Sequence, residues 1–280
     1  MTVSRVQVLT AIRAAHNWVA TLDIPADDPD SLLRGAFSAA TVQLLHPQGP
    51  GLDQFLTQAE IDGLQSSENP KASDPILLLT VCAAAHGFGL RDASLQAKAQ
   101  AFGETLARWP APVASDLALA TSLLRACGIA APDTQAPEVA LPSLPELVAA
   151  DRASMLNVCR SVANVTAWGR MPVDQAHPLT HLPALAASWA REWDLELTCA
   201  LLRACCYLKL SSEPAFAWSL EWLLDQQQDD GRFGLLAPEA RSLGRHPDDW
   251  RMYFEPTTNA IWTLAEFCRP GLFLALTPPR

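Results

Sequence analysis

The twelve residues from Asp116 to Cys127, DLALATSLLRAC, return from Asp194 to Cys205 as DLELTCALLRAC, with eight identities. A segment repeated this closely within one chain favours folds that stack copies of a unit. A weaker copy, DPILLLTVCAAAHG, opens at Asp74, and SRVQVLTAIRAAH reads as a fourth. The starts at 74 and 116 lie 42 residues apart and those at 116 and 194 lie 78 apart. The second gap is close to two further units of roughly 40 residues, the length of a helix pair in helical arrays.

The copies read as helices. In the copy at Asp194, Leu195, Leu197, Leu201, Leu202, Cys205 and Leu208 spread over most of the helix circumference, leaving a narrow stripe of Glu196, Ala200, Arg203 and Tyr207. Such a helix is buried among others, and its stripe is either a cavity wall or an internal hydrogen-bonded contact. Asp74-Pro75, Glu213-Pro214 and Glu255-Pro256 read as a cap followed by Pro at the first helical position. Gly87/Gly89, Gly128 and Pro270-Gly271 read as stops. Alternating strand patterns with hairpin turns are almost absent. The expected class is all-α, an α/α toroid or curved array of antiparallel helix pairs. Copies stand on both sides of the proline-rich connection at 132–145, so the expectation is one helical-repeat domain over 1–280.

A formal net charge of −10, without a Lys/Arg cluster to reverse it locally, argues against nucleic acid as a partner. The seven cysteines sit mostly in apolar helical stretches and read as reduced core residues. The start lacks the apolar run of a secretory signal, and the longest uncharged apolar stretch, from Pro75 to Leu90, is shorter than the ~20 residues of a membrane span. The expectation is a cytoplasmic protein with no membrane partner.

The segment WSLEWLLDQQQDDGRFG, Trp218 to Gly234, resembles the QW-type repeat of the squalene cyclase and protein prenyltransferase superfamily. Trp222, Leu223, Gln226 or Gln227, Asp230, Gly231 and Phe233 carry the match. The resemblance implies an α/α toroid in which the Gln caps N–H groups of an adjacent helix and the aromatic stacks on neighbouring peptide. The stretch from Leu223 to Phe267 also resembles a family of actinobacterial proteins encoded near natural-product biosynthesis genes. Other signatures of the superfamily are missing. There is no D-x-D-D or D-D-x-x-D motif, and neither the prenyltransferase zinc ligands nor the lanthionine cyclase Cys and Cys-His set can be placed, since Cys205-Cys206 is followed by Tyr207.

Candidate catalytic residues are His86, Glu196, Tyr253 and Glu255; candidate substrate-binding residues are Arg203, Arg125, Tyr207, Trp168 and Asp194. Asp194, with Asp74 and Asp116, opens a repeat, and its carboxylate either caps the helix or serves as a base or cation ligand. Arg125 and Arg203 occupy equivalent positions, suited to gripping an anion or to pairing with an acid of a neighbouring repeat. His86 ends an apolar helix and is either a proton carrier or a satisfied core histidine. Tyr253 and Glu255 belong to a polar loop segment with Glu239 and Arg241, and Trp168 reads as a loop residue suited to a cavity wall or a cation. The pairs Trp189/Trp193 and Trp218/Trp222 at i,i+4 read as packing. His177 and His181 flank prolines and make a poor zinc pair. No metal and no cofactor is expected, since nucleotide, hydrolase and redox motifs are missing from the sequence.

Two functions stay open. One is a cofactor-free natural-product biosynthesis enzyme, cyclase- or lyase-like, acting on a small-molecule or peptide intermediate in a helical cavity. The other is a non-catalytic binding or scaffold subunit for a partner protein or peptide of the same pathway.

Overall fold

The computed structural model describes residues 3–25, 93–106, 120–130 apart from 122 and 126, 142–169 apart from 167, 178–234 and 249–270, with single residues at 34, 79, 173, 242 and 244. The described residues are helical, joined by turns, with one isolated bridge between Gln227 and Phe233. The protein is all-α. No helix among the described residues is long and apolar enough to cross a membrane.

In chain order the helices are α1 (Arg5–Ala20), α2 (Ala93–Leu106), α3 (Leu144–Ala149), α4 (Arg152–Val165), α5 (Leu182–Arg191), α6 (Leu195–Tyr207), α7 (Pro214–Asp225) and α8 (Arg251–Cys268), with a 3₁₀ turn at Pro178–His181 before α5. The chain divides into two compact units. One joins Met1–Leu22 to Leu141–Gly271; the other comprises Asp23–Ala140 and Leu272–Arg280. The boundary after Ala140 falls inside the proline-rich stretch. The second unit contains α2 and the first repeat copy, in which Leu123, Leu124 and Cys127 are buried just as Leu201, Leu202 and Cys205 are in the second.

Within the first unit α6 packs against α4, α5, α7 and α8. Ten of its residues are buried, from Leu197 to Tyr207 with Arg203 the one exception, which accounts for its all-round apolarity. Its start is set locally: Asp194 accepts a hydrogen bond from the Leu197 N–H (2.9 Å), as a repeat-opening Asp should. Asp151 does the same for α4, accepting from the Ser154 N–H at 2.8 Å. The unit missing between the sequence copies at 116 and 194 is therefore α4, whose residues diverge from the repeat while its capping survives.

Side-chain register gives the directions. Arg152 reaches Asp194 and Glu196, 42 and 44 positions on, and Arg203 reaches Asn259 and Thr263, 56 and 60 positions on. Cys159 lies beside Arg203, 44 positions on, as Arg152 lies beside Asp194, and Leu195 shares the cleft with Pro256, 61 positions on, as Arg203 meets Thr263; these matching offsets at separated positions mean that α4, α6 and α8 run the same way, with their starts at one end. The three-residue link Glu192–Asp194 spans at most ~11 Å, so α5, packed beside α6, runs against it, and α7 packs beside both. Helix α1 packs on α8 with Ala11 and Ala14 beside Gln227 and Gly231 and its Arg5 end beside Cys268. It runs opposite to α8, so SRVQVLTAIRAAH shares the apolar spacing of the repeat but takes the partner position in a pair.

Two further expectations change. Glu255-Pro256 does not start a helix: α8 begins at Arg251 and Pro256 lies inside it. Burial of Tyr253 and Phe254, with Trp250 edge-on to Phe254 at 5.8 Å, holds the preceding turn helical at the cost of one backbone hydrogen bond. Among the described residues the glutamine of the QW-like segment caps no helix N–H groups. Gln227 Nε2 instead donates to the carbonyls of Ala11 and Gly231, both at 2.9 Å, clamping the end of α7 to α1. Gly231 makes the approach possible: a Cβ there would sit 2.3 Å from the Ala14 carbonyl oxygen, and its φ of +97° suits glycine. Phe233, fully buried, donates its N–H to Thr257 Oγ1 (2.9 Å) and ties the same turn to α8.

Candidate functional site

A cleft of about 380 Å³ opens at the end where α4, α6 and α8 start. Arg152 comes from the first position of α4, Asp194 and Leu195 from the start of α6, and Glu192 and Trp193 from the end of α5. Trp222 and Gln226 come from the end of α7, and Gly234 and Pro256 complete the wall. Gly234 has a φ of +132°, and a Cβ would approach Tyr253 Cδ1 to 3.2 Å. Glycine here lets the chain lie directly over the tyrosine ring.

Trp193 dominates the cleft. It follows the C-cap of α5 with φ +60°, and its N–H donates to the Ala190 carbonyl (3.2 Å) while that of Asp194 donates to Trp189 (3.3 Å). This is the reversal that ends helices on glycine, so a tryptophan there carries about 1–2 kcal/mol of backbone strain. The residue is 54% exposed, and its indole meets Trp222 edge-on at 6.1 Å. The tryptophans thus pair across helices, Trp193 with Trp222, rather than at i,i+4, because α5 ends before Trp193. Trp218 instead carries the Arg191 guanidinium, 5.4 Å from its ring centre.

The carboxylates beside the cleft are tied to Arg152. Its Nε donates to Asp194 Oδ2 at 2.6 Å and its Nη2 to Glu196 Oε2. The hydrogen bonds that it donates to Asp194, then to Glu196, raise the guanidinium's pKa and hold it charged. Asp194 is thus cap, ion-pair partner and cleft lining at once.

A second group of candidates lies in the seam between α6 and α8. Arg203 donates from Nη1 to Thr263 Oγ1 (3.0 Å) and to the Asn259 carbonyl (3.3 Å), and its guanidinium carbon lies 4.4 Å from the Trp262 ring centre. Trp168 stacks on Trp262 at 5.6 Å and meets Tyr207 edge-on at 6.1 Å. Trp262 Nε1 donates to Glu266, which is fully buried (3.2 Å). Burial, then the charge of Glu266, pushes the Tyr207 phenol well above its ordinary value. The Tyr207 hydroxyl and the Trp168 indole N–H are buried without a hydrogen-bond partner among the described residues. Trp168 is packed against Trp262 and Tyr207, and the α6 stripe makes an internal contact at its Arg203 end.

The candidates thus separate. Asp194 lines the cleft, Glu196 joins it there only through Arg152, and Tyr253 lies beneath Gly234 of the wall with Arg232 4.3 Å above its ring. Glu255 is exposed beside Pro256. Arg203, Tyr207 and Trp168 form the buried seam. Arg125 is exposed in the other unit, unlike half-buried Arg203, so the repeat equivalence does not extend to environment. His86, Asp74, Asp116 and His177 lie outside the described residues. His181 is exposed at the end of the 3₁₀ turn. Among the described residues no group of three or more His, Cys, Asp or Glu is placed to hold a metal. Sequence reasoning missed Arg152, Glu192, Trp193, Gln226 and Glu266. Only Arg152 carried a local sign, since it follows an Asp one repeat length before Asp194.

No protein-family model, no curated protein and no solved structure matches this chain.

Proposed function

We propose that this protein holds a small organic molecule in the cleft at the starts of α4, α6 and α8 and promotes a cyclisation or elimination on it, as part of a natural-product pathway. The observation that carries the reading is Trp193, a large apolar side chain kept exposed at the mouth of a cleft by a strained backbone. Strain of this kind persists where the surroundings over-determine it and clusters at binding sites. The volume of about 380 Å³ lies within the ~300–1,000 Å³ range of small-molecule sites. The walls suit such chemistry, with Trp193 and Trp222 holding a flexible ligand in one folded pose while Asp194 and Glu192 stand beside it as proton acceptors. Orientation supplies most of the catalysis in this scheme, and the carboxylates supply the proton step.

The test is ligand-observed NMR of the full chain against a small-molecule library, repeated with Trp193→Ala and Asp194→Asn, followed by mass analysis of each hit after incubation. Binding lost in Trp193→Ala supports the cleft, and a new product lost in Asp194→Asn supports catalysis. Hits that bind Trp193→Ala unchanged overturn the cleft. Hits that bind without ever changing favour the alternative of a non-catalytic pathway subunit.

A further inference from the structure

We propose that the ligand of this cleft is an organic cation, a protonated amine on an apolar chain or ring, seated against Trp193 with Glu192 and Asp194 as its counter-charge. The inference rests on the reading of the cleft as a small-molecule site and adds the chemical class of its occupant.

The starts of α4 and α6 would by themselves attract an anion, through their free N–H groups and helix dipoles. In this protein those positions are already filled from within. Asp151 accepts from Ser154 and Asp194 from Leu197 at the two starts, and Arg152 is committed to Asp194 and Glu196. Among the described residues that line the cleft, Glu192 and Asp194 stand against Arg152, which Glu196 also shares, so this lining carries a net negative charge. Glu192 is also the C-cap of α5, so the electronegative end of that helix points to the same place.

The aromatic corner selects the same sign. Indole faces attract cations and repel anions, and tryptophan does so best among the aromatic side chains. Trp193 offers 54% of its surface, and Trp222 closes the corner edge-on at 6.1 Å. Leu195, Pro256 and Gly234 give an apolar floor for the carbon body that bears the charge. A cleft of this volume takes an ammonium with a short body, which is either a free amine or the side chain of a lysine in a peptide.

The experiment titrates the full chain with pentylammonium, pentanol and pentanoate, which share one carbon body and differ in charge, following tryptophan fluorescence and calorimetric heat. Pentylammonium is expected to bind at least tenfold more tightly than the other two, with about tenfold lost in Glu192→Gln and in Trp193→Ala. Glu192→Gln, an exposed change, is expected to leave the melting temperature where it was. Nα-acetyl-lysine methylamide distinguishes the sources: tenfold tighter binding than pentylammonium assigns a peptide lysine, and weaker binding a free amine. Pentanoate or pentanol binding as well as pentylammonium overturns the cation while leaving the cleft standing. If none of these probes, nor any member of the neutral and anionic library, perturbs Trp193, the small-molecule reading itself falls, and this proposal with it.

Discussion

Arg152 holds Asp194 at 2.6 Å across 42 positions of sequence, and so joins the start of one helix pair to the start of the next. Asp194 also caps α6, and substitutions separate the two roles. Asp194→Asn keeps the cap and loses the charge pair; with Arg152 48% exposed, it is expected to lower stability by less than about 1 kcal/mol. Asp194→Ala loses both and is expected to cost about 1–2 kcal/mol. Urea denaturation of the two variants checks the order.

At Trp193 the usual ranking of substitutions is expected to invert. Alanine keeps the left-handed backbone strain and loses the contact with Trp222, whereas glycine loses the contact but relieves the strain. Trp193→Gly should therefore be more stable than Trp193→Ala by about 1 kcal/mol. Lys209, exposed at φ +59° after α6, gives the control: Lys209→Gly is expected to raise stability by about 0.5–1 kcal/mol with nothing lost. Chemical denaturation midpoints measure both.

Arg203→Leu removes the hydrogen bonds to Asn259 and Thr263 and the contact with Trp262. The expected loss is about 2 kcal/mol of stability with ligand affinity at the cleft unchanged. A variant of normal stability that fails to bind would return Arg203 to the site.

The helical class, the Asp194 cap, the start of α7 at Pro214 and the burial of α6 were all legible, because each follows from local pattern: period, cap and repeat. The site was legible only in part. Asp194 and Glu196 stood out as polar groups opening an apolar helix, but their partner Arg152 lies a whole repeat away, where no short motif reaches. Trp193 was hidden by its own chemistry, since the helix reversal it occupies is normally announced by glycine. Arg203 had the right signal and an undecided meaning: a charge on an apolar helix is either used or satisfied, and only its neighbours on α8 show that it is satisfied.

The buried thiols predict a response to alkali. Burial pushes Cys127 and Cys159 up to about 12 and Cys199 to about 11, from an ordinary value near 9. The unfolded chain therefore releases these protons first. The stabilisation is complete below pH 9 and is lost as pH rises through 11 to 12. Native protein at pH 8 should leave these thiols unreacted with a disulfide reagent, with half-buried Cys268 modified ahead of Cys159, Cys199, Cys205 and Cys206. Labelling followed by mass analysis reads the order directly.

Gly231→Ala places a Cβ against the Ala14 carbonyl at a positive φ and is expected to cost at least about 3 kcal/mol, or to release α1 altogether. Hydrogen exchange localised to residues 5–20 separates release of α1 from global loss.

The clamp at that position joins Gln227 to Ala11, 216 residues apart. During synthesis α1 is made well ahead of α8, with Val8, Ala11, Ile12, Ala15 and Val19 bare, and α8 follows only after the intervening compact unit and the other described helices of its own unit, α3 to α7. The apolar face of α1 thus waits for a partner made more than two hundred positions later, a kinetic hazard of a contact with so large a sequence separation. A nascent chain halted before residue 251 should leave α1 open to a chaperone or a protease, and the unit it belongs to closes only once α8 is made, not as a sequence of pairs closing in order of synthesis.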